Sequence, residues 1–63
     1  MTVDQKRRFM AAVRSGKHMF AEIAAASGLT MRETLDVYAE GVAAGKLRIA
    51  DDFPGFRHVA EVV

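Results

Sequence analysis

Residues 22–30 read EIAAASGLT, an alanine-rich run that stops at Ser27-Gly28 and restarts at Thr30. Three consecutive alanines favour helix about as strongly as any residues do, so the stop is imposed by the residues after them. Gly28 imposes it, because glycine enters the left-handed backbone region without steric cost and is the commonest residue just past a helix C-terminus. Thr30, with Glu33 three positions on, is a capping-box pattern that starts the next helix. A chain built around this stretch must end one helix and begin another within about three residues, which excludes a long rod and forces two helices to meet at a corner.

The same reading extends in both directions. Thr2 with Gln5 is a second capping-box pattern, and Gly16 is a stop, so a first helix is expected over about residues 3–15. Its apolar positions Phe9, Met10 and Val13 follow helical spacing and leave Lys6, Arg7 and Arg14 toward solvent. The second helix is expected over about 20–27, with no good cap at its start and Met19 briefly extended. Phe20, Ile23 and Ala24 share one side, and the small Ala24, Ala25 and Ala26 permit close approach by a neighbouring helix. The third, about 31–44, places Met31, Leu35, Tyr38 and Val42 on an expected inward stripe, with Arg32, Glu33, Asp36, Val37 and Glu40 outward. After Gly45 the period changes. Leu47-Arg48-Ile49 alternates, Asp51-Asp52-Phe53-Pro54-Gly55 reads as turn chemistry, and Phe56 to Val63 is rich in β-formers, which predicts a β-hairpin over about 46–62.

Length bounds the result. At 63 residues the chain is expected to be a single domain, residues 1–63, near the lower limit at which one core suffices. Without cysteine it has neither a disulfide framework nor a thiolate zinc site, and no apolar stretch approaches the roughly 20 residues of a membrane span. Charged residues throughout the first twenty positions are unlike a secretory signal, so a cytoplasmic, non-membrane protein is expected.

The net charge of +1 hides an asymmetry: Lys6, Arg7, Arg8, Arg14 and Lys17 stand against Asp4 in the first 18 residues, and Arg32, Lys46, Arg48 and Arg57 against seven carboxylates beyond them. The positive field is therefore expected at the N-terminus.

Three helices followed by a hairpin give a mainly α fold with a C-terminal β-hairpin, and the residues resemble a winged helix-turn-helix. Residues 22–30 look like that family's second helix and turn. Leu35, Tyr38, Val42 and Gly45-Lys46-Leu47 resemble its third-helix apolar pattern, glycine and first wing strand. The resemblance covers residues 4–60. It implies a DNA-binding protein, such as a transcriptional regulator or a phage or plasmid accessory factor of the excisionase type, whose third helix enters the major groove of double-stranded DNA. The base-facing positions implied are Arg32, Glu33, Asp36 and Val37, with Thr30 near a phosphate; Arg48 and Arg57 are the implied wing contacts, and Lys6, Arg7 and Arg14 the backbone contacts from the first helix. The carboxylates Glu33, Asp36 and Glu40 on that face support an alternative, a protein-interaction module that docks a partner or a second copy through the acidic third helix and the C-terminal strand.

No cofactor, metal or catalytic site is expected. His18 and His58 are 40 residues apart with no second ligand beside either, and Asp51-Asp52 lacks the spaced oxygen ligands of a calcium loop. A domain this small has little room for a pocket that would perturb the third-helix carboxylates, so no enzyme is expected. Met10, Met19 and Met31 are read as core filler, and Val37 as an apolar side chain facing a thymine methyl or a protein partner.

Overall fold

The computed structural model describes residues 2–17, 19–53 and 56–62. Three helices, α1 (Val3–Arg14), α2 (Phe20–Ser27) and α3 (Met31–Ala43), precede two antiparallel strands, β1 (Leu47–Phe53) and β2 (Phe56–Glu61). Each helix start follows the chemistry read from the sequence. The Gln5 amide donates to Thr2 Oγ1 at 3.1 Å while the Thr2 amide donates to Gln5 Oε1 at 3.0 Å, and the reciprocal pair recurs at Thr30 and Glu33, at 3.1 and 2.9 Å. Met19 precedes α2 in an extended conformation with no side-chain cap; the Glu22 carboxylate accepts from its amide at 3.4 Å.

The corner between α2 and α3 is built by Gly28, whose φ of 73° lies in the left-handed region while its amide donates to Ala24 O at 3.0 Å. Two further bonds hold it. Ser27, buried, donates its hydroxyl back to Ile23 O, and Arg8 of α1 donates from Nη1 to Ser27 O at 3.2 Å. A guanidinium there satisfies a terminal carbonyl and complements the negative end of α2, which has no basic residue in its own last turn.

The core is a single cluster. Phe9, Ala12 and Val13 of α1, Ile23 of α2, Leu29 of the corner, Val37 of α3, Leu47 of β1 and Val59 of β2 are buried together, with Met10, Phe20, Tyr38 and Ile49 packed against them. Phe20 and Tyr38 meet edge to face with ring centroids 5.1 Å apart.

The third helix is rotated from the orientation expected for it. Thr34 is fully buried and Val37 is 3% exposed, whereas Met31 and Leu35 are each 45% exposed and Val42 43%. The reason is steric. A Cβ on Gly41 would lie 2.3 Å from Leu47 Cδ1, so β1 packs directly on the α3 backbone and the small stripe Thr34, Val37, Gly41 takes the inner flank, while Tyr38 alone of the expected stripe stays packed against the core. Thr34 is tolerated there because its hydroxyl donates to Thr30 O at 2.8 Å, removing the cost of an unpaired buried polar group. Hydrophobicity favours the bulky stripe for the interior, but close approach selects the small one.

Three smaller expectations change as well. Ala25 and Ala26 are exposed, leaving only Ala24 turned partly inward. Met19 and Met31 are not core filler, while Met10 is. Asp51-Asp52-Phe53 continues β1 instead of turning: pairing passes from Ala50↔His58 to Phe53↔Phe56, so two residues of β1 oppose one of β2 in a bulge. Pro54 and Gly55, the rest of the expected turn, lie outside the described residues, as does His18.

Candidate nucleic-acid interface

Helical geometry and the Gly28 corner together decide which side chains α3 presents. With Thr34, Val37 and Gly41 inward, the opposite flank carries Met31, Arg32, Leu35, Asp36 and Ala39, all exposed. Two rows run along it: Met31 and Leu35 form an apolar pair one turn apart, and Arg32 and Asp36 a charged pair beside them.

The expected site residues divide sharply. Arg32 and Asp36 are exposed on this flank and form no ion pair among the described residues. Val37, expected to face a base, lies instead in the core. Glu33 is half-buried and turned toward α1. Its carboxylate accepts from the Thr30 amide and from Gln5 Nε2 at 2.8 Å, and it is held below the ordinary value of 4.5 chiefly by the backbone hydrogen bond at Thr30, then by the Thr30 side chain. It is a structural carboxylate, not a base-facing one. Thr30 is the helix cap, its hydroxyl occupied by the Glu33 amide. Arg48 is exposed on β1 between the buried Leu47 and the half-buried Ile49. The Arg57 side chain lies outside the described residues, although its backbone belongs to β2.

The basic face of α1 is largely neutralised within the chain. Lys6 Nζ lies 3.0 Å from Glu40 Oε1 of α3. Arg7 and Arg8 share Asp4, whose carboxyl is held down first by the Arg8 hydrogen bond and then by that of Arg7. Arg14 grips Glu61 of β2 with two bonds, from Nη2 at 2.8 Å and Nε at 3.2 Å, which lowers the Glu61 carboxyl and raises the guanidinium. Among the described side chains, the cations that form no ion pair are Lys17, Arg32, Lys46 and Arg48, against Glu22, Glu33 and Asp36. The expected field at the N-terminus is thus reduced by pairing to the one charge left over where Arg7 and Arg8 share Asp4, with Lys17 beyond it, and Lys46 and Arg48 are unpaired at the start of the hairpin.

A groove of about 450 Å³ lies on the other side of α3, floored by Met10, Val37 and Gly41. Its rim holds the Lys6–Glu40 and Arg14–Glu61 pairs together with the unpaired Lys46, so most of its charge is already matched. The outer flank of α3 has no such internal partners among the described residues. Sequence reading missed Met31 and Leu35 as surface residues, Lys46 as an unpaired cation and Arg8 as the clamp on the corner. The available signal was the run of small residues Thr34, Val37 and Gly41 at helical spacing, which competes with the bulky stripe.

Among the described residues no helix is long and apolar enough to cross a membrane. Compared with protein families, curated proteins and solved structures, the chain matches none.

Proposed function

We propose that this chain is a small DNA-binding protein of the winged helix-turn-helix type, a transcriptional regulator or a phage or plasmid accessory factor, that lays the outer flank of α3 in the major groove. The observation that carries the reading is the flank itself: beyond a left-handed glycine corner, the N-terminal half of α3 holds Arg32 and Asp36 uncovered, with no ion pair to any described residue. In a helix-turn-helix that half is the part that meets base edges. Arg32 presents a fork that matches guanine O6 and N7, and Asp36 an acceptor for cytosine N4. Arg48, exposed at the start of the hairpin, supplies unpaired charge for phosphates. The acidity of α3 is less of an obstacle than its composition implies, because Glu40 is matched by Lys6 and Glu33, bonded to Gln5, is turned toward α1 and away from the outer flank.

Titration with duplex DNA at rising salt tests the proposal. Binding should weaken linearly on a log–log plot, with a slope of about −0.9 per phosphate neutralised. No binding near 50 mM salt, or binding indifferent to salt, would remove the DNA reading.

A second reading, docking of a protein partner, draws on the exposed apolar side chains Met31, Leu35 and Val42. Asp36→Lys separates the two, since it should strengthen generic DNA binding in the first and abolish partner capture in the second. Asp36 is the residue to change, because Glu40 is already needed by Lys6.

A further inference from the structure

Resting on the DNA-binding reading, the outer flank of α3 carries enough chemistry to name what it reads. Its two rows are offset by one residue: Met31 and Leu35 apolar, Arg32 and Asp36 charged. Partners four residues apart stand about 6 Å apart along the helix, close to two base steps of roughly 3.4 Å. Met31 and Leu35 are each 45% exposed with all the described residues in place.

We propose that Met31 and Leu35 select thymine, each packing on the C5-methyl group of a thymine in the major groove, beside a guanine read by Arg32 and a cytosine read by Asp36. The methyl group of thymine is the one apolar feature on the major-groove edge of a base pair. An apolar side chain opposite the donor of cytosine or the acceptors of guanine displaces water from them and returns no hydrogen bond, which counts against those bases. Asp36 narrows the choice further, since its carboxylate is repelled by phosphate and is satisfied in the groove by an exocyclic amine. The charge balance agrees: the site is held by Arg32 and by the hairpin cation Arg48, while the apolar row discriminates. Val42, seven residues and about 10 Å beyond Leu35, lies past the half of the helix that enters the groove and takes no part.

The test is a selection of duplexes from a random DNA library, followed by replacement of each thymine in the recovered duplex by deoxyuridine, which removes the methyl and nothing else. Uracil at two positions should weaken binding by roughly fourfold each, the loss expected for one buried methyl group. Leu35→Ala should erase the penalty at one of these positions and Met31→Ala at the other, with Arg32→Ala sparing both. Both residues are exposed, so the variants are expected to fold. A recovered duplex indifferent to uracil overturns the thymine assignment and leaves DNA binding standing. Recovery of no duplex overturns both. Sedimentation of the free protein as a dimer that Leu35→Glu splits would assign the stripe to a second copy and overturn the thymine reading.

Discussion

Helices α1 and α3 carry their charges to opposite ends. α1 has four cations and one carboxylate, yet Lys6 is matched by Glu40, Arg7 and Arg8 by Asp4, and Arg14 by Glu61. α3 has one cation and three carboxylates, yet two of the three are turned to α1, so its outer flank is left with the balanced pair Arg32 and Asp36. The helix that is basic by composition is thereby spent on holding the fold together, and the helix that is acidic by composition has one carboxylate neutralised and a second turned away from its outer flank. Charge content along a chain is a poor guide to the field it projects, because pairing removes charges from the surface in a pattern set by packing.

The comparison can be broken at its two flanks. Val37→Asp places an unpaired carboxylate in the core; at a cost of about 3–5 kcal/mol it should unfold a domain of this size, while Asp36→Val one residue away should leave the thermal midpoint within a few degrees of the parent. Circular dichroism melts of the pair check this, and similar melting of the two variants would contradict the rotation of α3. Gly28→Ala tests the corner next. With φ at 73°, alanine there should cost about 1–2 kcal/mol in urea unfolding, and Arg8→Ala should weaken the same corner by less.

Binding sharpens the contrast between paired and unpaired cations. Arg48→Ala is expected to reduce the salt slope of DNA binding by about one, and Lys6→Ala, whose charge is already matched by Glu40, to leave it nearly unchanged. Equal losses from both would mean that the ion pairs open on binding. The smallest effect is on acid stability. Glu33 and Glu61 are held below their ordinary value of 4.5 in the fold, and Asp4 below 3.8. Each therefore contributes stability that is present above the unfolded value and lost as pH falls through the folded one. Stability should decline from about pH 5 downward, and Glu61→Gln should flatten part of that decline; a pH profile of the thermal midpoint identical to the parent's would show that the Arg14–Glu61 contact contributes nothing.

The sequence by itself determined where α1 and α3 begin, where each helix ends, the corner between α2 and α3, and that a hairpin follows, though not where its first strand stops. Thr2, Thr30, Gly16, Gly28 and Gly45 act through hydrogen bonds and backbone conformations only a few residues long, so their effect is legible without knowing what packs on what. Arg32, Asp36 and Arg48 could be read as surface residues for the same reason. Only the tertiary structure decided which stripe of α3 is buried. Two stripes have helical spacing, and the choice between them rests on how near β1 comes to Gly41, a distance between residues on different elements. That choice moved Val37 into the core and brought Met31 and Leu35 to the surface, and the long-range pairs Lys6–Glu40 and Arg14–Glu61 decided which charges remained to face a ligand.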